Sequence, residues 1–134
     1  MSLIQWSDAL SVNVEQFDNQ HQKLVGMINS MHDAMRSGQG NAAVQGILNE
    51  LLDYTKHHFQ SEEALMLKHG YPDMEKHVAQ HENLTNQVVK YVERFENGER
   101  ISLDFMKFLT EWLTNHIKGS DQSYSRFFND NGEV

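Results

Sequence analysis

The stretch 58–81, HFQSEEALMLKHGYPDMEKHVAQH, decides how this chain folds. Near its middle stand Gly70 and Pro72, and a glycine shortly before a proline is typical of the point where one helix ends and another begins. Apolar residues recur every three or four positions on both sides of this break, a spacing that predicts two amphipathic helices. Because the connection is so short, the two helices are predicted to be antiparallel neighbours.

The same helical spacing continues in both directions from this stretch. Two further breaks, rich in glycine, serine and asparagine, lie at 37–41 and 97–102 and leave four helical segments in all. The predicted fold class is therefore all-α, an up-down-up-down antiparallel four-helix bundle. The first thirteen residues show no clear period and are predicted to lie as an extended N-terminal arm over the bundle. The predicted helices cover residues 18–36, 42–68, 73–96 and 103–118.

Length and composition limit the class of protein. A chain of 134 residues is predicted to form a single domain, 1–134. A net charge of -8 argues against nucleic acid as a partner, because that affinity comes from basic residues. The chain has no cysteine, so any metal must be held by nitrogen and oxygen. The opening residues predict neither a signal peptide nor a membrane span, and the expected location is cytoplasmic.

Eight histidines stand out in this composition, and their spacing indicates a metal site. His58 and Glu62 are four residues apart, as are His77 and His81, so each pair shares one helical face. In an antiparallel bundle the start of one helix meets the end of the next, which places both pairs at one end. The set expected at that end is His21, His58, Glu62, His77, His81 and His116.

A second carboxylate is expected to join this set. Asp121 follows His116 by five residues, which on an unbroken α-helix would turn it about 140° away. We expect the fourth helix to end near Lys118 and the chain to turn at Gly119, so that Asp121 returns to the bundle end. Five imidazoles and two carboxylates exceed the four ligands of a tetrahedral zinc ion and suit two octahedral ions that share carboxylates.

These residues and their neighbours resemble the hemerythrin family, and within it the bacteriohemerythrins. The resemblance covers nearly the whole chain. It implies two iron ions with an oxo or hydroxo bridge, which bind dioxygen reversibly for transport, storage or delivery, without enzymatic activity. It also implies an oxygen-consuming enzyme as a partner, which the sequence does not identify. The segments that carry the resemblance are FDNQH at 17–21, HFQSEE at 58–63 and WLTNH at 112–116, together with His77, His81 and Asp121.

The resemblance also implies how the seven ligands are divided between the irons. One iron takes three histidines, His77, His81 and His116. The other takes His21 and His58 and keeps an open position, and the carboxylates of Glu62 and Asp121 bridge the two. Reversible binding requires an apolar lining that keeps water away from the open position. The candidates for this oxygen pocket are Leu24, Phe59, Trp112 and Leu113.

Four residues near the predicted site are expected to stay outside it. His57 points about 100° away from His58, and His69 lies at a helix end, so both are interpreted as solvated. His32 is too far along the first helix and is interpreted as a core or network histidine. Glu63 is expected to be exposed or to contact a ligand from outside.

Two other functions remain open at this point. A di-iron oxidase or peroxidase of the ferritin-like kind uses a Glu-x-x-His pair on each of two helices, and the chain contains no such pair. An oxygen or redox sensor would pass its state to an output module, and a chain of 134 residues is expected to have no room for one.

Overall fold

The computed structural model describes residues 3–134; Met1 and Ser2, the first residues of the predicted arm, lie outside the described residues. Within this range the chain has no strand, and it folds into the antiparallel four-helix bundle that the sequence predicts. The predicted bounds of the first three helices are close to those observed. The helices are α1 (Glu15–Arg36), α2 (Asn41–His69), α3 (Met74–Glu96), α4 (Leu103–His116) and, after a π-helical turn at Ile117–Asp121, α5 (Gln122–Asp130).

The break between α2 and α3 forms as predicted. Gly70 ends α2 with a φ of 69°, in the left-handed region that glycine adopts without a steric penalty. The backbone N–H of Tyr71 then donates to the carbonyl of Met66 at 2.9 Å, so a carbonyl at the helix end has a partner. This tight ending turns the chain back on itself and makes α2 and α3 antiparallel.

The N-terminal arm packs against the bundle, as predicted, with one short 3-10 turn at Asp8–Leu10. Its apolar side chains at Leu10, Val12 and Val14 are buried. Asp18, in the first turn of α1, accepts hydrogen bonds from the backbone N–H of Val12 at 2.8 Å and from the hydroxyl of Ser11 at 2.6 Å. The arm is therefore held by a buried apolar face and by hydrogen bonds to a charged acceptor.

The predicted end of the fourth helix was wrong. Helical structure does not end near Lys118, and the chain does not turn at Gly119. Instead, α4 passes through the π-helical turn directly into α5. In a π turn the hydrogen bonds join residues five apart, so Asp121 comes beneath His116 without a break in the helix. Burial favours the continuation, because Tyr124 and Phe128 lie four apart on α5 and are both fully buried.

None of the helices within residues 3–134 combines the length and the apolar character that crossing a membrane requires.

The variant Gly119→Ala tests the π-helical turn, and Gly70→Ala serves as its comparison. Gly119 is exposed, has no positive φ, and a Cβ added to it would meet nothing within 4 Å. Gly119→Ala should raise the free energy of unfolding by about 0.5–1 kcal/mol, because alanine restricts the unfolded chain. Gly70→Ala, at a positive φ, should lower it by about 1–2 kcal/mol. Urea unfolding measures both. A loss of stability in Gly119→Ala as large as that in Gly70→Ala would contradict the turn.

Candidate metal centre

The structure brings all seven predicted ligands together at one end of the bundle. Each comes from the expected element: α1, α2, α3 and α4 supply the histidines and Glu62, and the π-helical turn supplies Asp121. Every one is buried, and the most accessible of them, His116, is only 7% exposed. Buried ionisable side chains are rare unless they are paired or bind a metal, so this cluster needs a partner.

The cluster divides into two overlapping groups. In each, the candidate ligand atoms lie within 4.8 Å of one another. One group contains three histidines and the other contains two, and both groups contain Glu62 and Asp121. The groups are Glu62, His77, His81, His116 and Asp121, and His21, His58, Glu62 and Asp121.

The two oxygens of the Glu62 carboxylate face different groups. Oε1 lies 3.3 Å from Nε2 of His81 and 3.6 Å from Nε2 of His77. Oε2 lies 3.5 Å from Nε2 of His58 and 3.6 Å from Nε2 of His21. A carboxylate that turns one oxygen to each of two imidazole sets has the arrangement of a bridging ligand.

Asp121 repeats this division. Its Oδ1 lies 2.9 Å from Nε2 of His77 and 3.1 Å from Nε2 of His116, whereas its Oδ2 lies 3.1 Å from Nε2 of His21. Adjacent ligands on an octahedral ion with bonds of about 2.1 Å are about 3 Å apart. The spacing of these atoms therefore suits ligands that surround a common ion.

The hydrogen bonding of the cluster tests whether a cation fits. Several of its buried polar atoms have no hydrogen-bond partner, although a nitrogen or oxygen of the opposite charge lies close by. Donor and acceptor atoms that are close together but do not form hydrogen bonds with each other suit a shared central ion. Without such a partner, their burial is unfavourable. Cations held at the centre would satisfy the atoms that lie between the imidazoles and the carboxylates, which are His21 Nε2, His77 Nε2, Glu62 Oε1, Asp121 Oδ1 and Asp121 Oδ2. Nδ1 of His21, on the far side of its ring, also has no partner and would not be satisfied in this way.

Side chains outside the cluster orient two of its imidazoles. Nδ1–H of His58 donates to the amide oxygen of Gln20 at 2.6 Å, and Nδ1–H of His81 donates to the carboxylate of Glu63 at 2.9 Å. In each ring this leaves Nε2 with its lone pair directed to the centre. Glu63 thus contacts a candidate ligand from outside, one of its two predicted placements.

A phenol completes this outer layer. The hydroxyl of Tyr124 donates to Oε2 of Glu62 at 2.5 Å, and the ring packs between Phe17 and Phe128. Sequence reasoning missed Tyr124 because it ended the helix before that residue. It also missed Gln20, although its position beside His21 in the FDNQH segment was a usable signal.

The histidines outside the cluster follow the prediction in part. His57 is exposed, as expected. His69 is not solvated: its side chain is 14% exposed, and Nε2 lies 3.2 Å from the carboxylate of Glu133 near the C-terminus. The α5 helix, which the sequence did not predict, brings the end of the chain back to this position. His32 is half-buried, and its Nδ1 has no hydrogen-bond partner.

The charges of the cluster are strongly coupled. Burial lowers the pKa of His21, but the carboxylates of Asp121 and Glu62 outweigh burial and raise this pKa to about 9. The same balance raises the pKa of His77 to about 9. Burial dominates at His58 and lowers its pKa to about 4. His21 and His77 therefore keep a proton at neutral pH when no metal is bound.

Both carboxylates stay ionised despite their burial. Burial favours the neutral acid, but the imidazoles around Glu62, with His58 the largest contributor, hold its pKa well below the usual range. For Asp121, burial and the neighbouring negative charge of Glu62 act in the same unfavourable direction. His116, His21 and His77 outweigh them and lower the pKa of Asp121.

One side of the cluster is apolar. The ring of Phe59 stacks on His81 with centroids 3.7 Å apart, and the ring of Trp112 stacks on His116 at 4.4 Å. A cavity of about 690 Å³ opens beyond these rings. All four residues predicted for the oxygen pocket, Leu24, Phe59, Trp112 and Leu113, line it.

Comparisons with known proteins identify the family of this chain and agree with its fold. The model of the hemerythrin HHE cation binding domain matches residues 12–127. A bacteriohemerythrin of Stenotrophomonas maltophilia is 41% identical over 125 residues, covering 93% of this chain and 81% of that protein. The bacteriohemerythrin of Methylococcus capsulatus is 35% identical over 92% of this chain and 95% of its own. A crystal structure of wild-type hemerythrin has a TM-score of 0.88 and 33% identity, and the match covers 93% of this chain and 97% of that one.

Fold and site together define a four-helix bundle with a buried histidine and carboxylate cluster able to hold metal. The family model spans most of the chain, and relatives well above 30% identity cover nearly all of it. The chain belongs to the hemerythrin family, whose members bind non-haem iron.

The raised pKa values predict how the metal-free protein responds to pH. His21 and His77 have a pKa of about 9 in the fold and an ordinary value of 6.5 in the unfolded chain. Their stabilisation is fully present below pH 6.5 and is lost as the pH rises through 9. A pKa that rises from 6.5 to about 9 corresponds to about 3 kcal/mol for each imidazole. Urea unfolding of the metal-free protein should therefore show a loss of about 6 kcal/mol across this window.

Matched variants assign this loss to the cluster. His77→Asn should remove about half of this loss, because the imidazole of His21 remains, whereas His57→Asn, at an exposed histidine on α2, should leave the profile unchanged. The metal-loaded protein should show no comparable loss, because bound cations replace the protons. A metal-free protein whose stability does not change between pH 6.5 and 9 would contradict the assignment.

Proposed function

We propose that this protein binds dioxygen reversibly at a non-haem di-iron centre and serves in oxygen transport, storage or delivery. His77, His81 and His116 would hold one iron and His21 and His58 the other. Glu62 and Asp121 would bridge the two beside an oxo or hydroxo group. We also propose that residues 1–134 act as one domain, since the hydroxyl of Ser125 on α5 bonds the carbonyl of Val12 in the arm.

The unequal division of ligands is the observation that carries the proposal. The first group offers three imidazoles and two carboxylate oxygens, and the second offers two imidazoles and the other two oxygens. Octahedral ions take six ligands, so one shared bridging oxygen completes the first ion and leaves the second one ligand short. When bound, the iron pair supplies this open position and the electrons for reversible dioxygen binding.

The apolar side chains beside the cluster favour dioxygen binding over turnover, because they limit the access of water to the open position. Leu24 is 2% exposed and Leu113 is 7% exposed, and both line the cavity beside the cluster. Phe59 covers one face of His81. Water and proton donors promote irreversible oxidation, so an apolar lining at this position preserves reversibility.

The donor set also distinguishes this site from an oxidase. Five imidazoles and two carboxylates make a histidine-rich shell, whereas ferritin-like di-iron enzymes use a carboxylate-rich shell with Glu-x-x-His pairs. The sequence contains no such pair. The proposed role is therefore that of a non-enzymatic carrier.

The first test is a metal count with a visible spectrum. The purified protein should contain two irons per chain, and the anaerobically reduced form should develop a colour band in air that disappears when oxygen is removed. His77→Ala should lose iron, while His57→Ala should retain both ions. Zinc, or one iron per chain, would contradict the dinuclear centre. Two irons that oxidise at once, without a reversible band, would contradict the carrier function.

A pair of leucine variants tests the apolar lining. Leu24→Ser places a hydroxyl in the cavity beside the cluster and should raise the oxidation rate of the oxygenated protein about tenfold or more. Leu48→Ser makes the same change at a residue that is 1% exposed and does not line the cavity. It should lower stability while leaving the oxidation rate near that of the wild type. Equal rates in the two variants would show that the lining does not protect the site.

A further inference from the structure

The cavity beside the metal cluster is much larger than dioxygen requires. Its volume is about 690 Å³, within the range of about 300–1,000 Å³ that holds a whole organic ligand. It is also long: its lining runs from Leu51 to Gln60 on α2 and from Leu84 to Glu96 on α3. At 1.5 Å per helical residue these spans measure about 14 and 18 Å. The shape is that of a slot parallel to the helices.

The inner walls of the slot are mostly apolar. Most of them are aliphatic, as at Ile28, Val88 and Leu109. Two threonines also line the slot, but their hydroxyls are already used. Thr55 donates to the carbonyl of Leu51 at 2.7 Å, and Thr85 donates to its own helix in the same way. Apolar walls of this kind favour apolar molecules, because contact with them removes apolar surface from water.

The outer lining carries charge, and its sign is uneven. Asp53 on α2 and Glu93 and Glu96 on α3 are acidic, and Lys56 on α2 is the basic residue among the lining side chains. All four are exposed. Three negative charges against one positive charge attract a cationic group and repel a carboxylate.

We propose that this slot binds an amphiphile with a single aliphatic chain and an ammonium head. The chain lies between α2 and α3 against Val88, and the head lies beside Glu93 and Glu96 at the end of the slot remote from the metal cluster. Burial of the chain drives binding, and the acidic residues select the head. This site is separate from the metal ligands, although the slot ends on the same apolar residues that face the cluster.

Occupancy of the slot has a consequence for dioxygen, and this consequence rests on the proposed function. Leu24, Trp112 and Leu113 line both the slot and the proposed oxygen pocket. A bound chain therefore fills the apolar route to the open position. Dioxygen binding should be slower in the presence of the amphiphile, which makes the slot a point of control.

The binding itself is tested on the oxidised, iron-loaded protein, which does not take up dioxygen. Calorimetric titration with decylammonium, 1-decanol and decanoate, each below its micellar concentration, should show one saturable site for decylammonium. Decanoate should bind about tenfold more weakly or not at all, with 1-decanol between them. No saturable binding of decylammonium overturns the proposal, and decanoate binding as tightly as decylammonium overturns the assigned head group.

Two matched pairs of variants locate the site. Val88→Phe fills the slot and should weaken decylammonium binding at least tenfold, whereas Leu67→Phe, on the exposed face of α2, should not change it. Glu93→Gln with Glu96→Gln should reduce the preference for decylammonium over decanoate. Glu50→Gln with Glu75→Gln, which removes the same charge outside the slot, should preserve that preference. Unchanged binding in Val88→Phe would overturn the proposal.

Stopped-flow mixing of the reduced protein with dioxygen, with and without decylammonium, then separates the two hypotheses. Binding of decylammonium by a protein that never forms a reversible oxygenated state would support the ligand site and contradict the carrier function. Reversible oxygenation of a protein that does not bind decylammonium would support the carrier function and contradict the ligand site.

Discussion

The burial of two ionised carboxylates at one point is the constraint on which the rest of this structure depends. Glu62 and Asp121 are each almost completely inaccessible, and each raises the energy of the other's charge. Buried like charges are tolerated only when positive partners surround them. Five imidazoles from four helices provide that surrounding, with protons on His21 and His77 or with bound cations. Each of the four helices α1–α4 therefore has to place a histidine at the same position along the bundle axis.

This requirement accounts for features of the fold that would otherwise appear unrelated. The tight end of α2 at Gly70 sets α2 and α3 antiparallel, so that the pairs on the two helices meet. The π-helical turn brings Asp121 to the face of His116 without ending the helix. The continuing α5 then supplies Tyr124, whose phenol bonds Glu62, and it is held by the N-terminal arm through Ser125. Arm and α5 act together to close the polar end of the bundle.

One side of the cluster is polar and the other is apolar, and the two sides have different roles. On one side Gln20, Glu63 and Tyr124 bond the ligands and fix their orientation. On the other side the rings of Phe59 and Trp112 stack on ligand imidazoles and face an apolar slot. Polar contacts hold the ligands in position, and the apolar side limits what reaches them. The centre thus combines ligands of fixed orientation with an apolar slot beside them.

Sequence alone determined the four helices, the breaks between them and the seven side chains that meet at one end. These follow from local rules: residues four apart share a helical face, and a glycine before a proline ends a helix. Only the tertiary structure decided the π-helical turn, the position of His69, the contacts of Gln20 and Tyr124, and the length of the slot. Each of these depends on packing between distant segments. The burial of Tyr124 and Phe128, for example, outweighs the local preference of Gly119 for a turn. Spacing specifies which side chains share a face, whereas packing specifies what surrounds them.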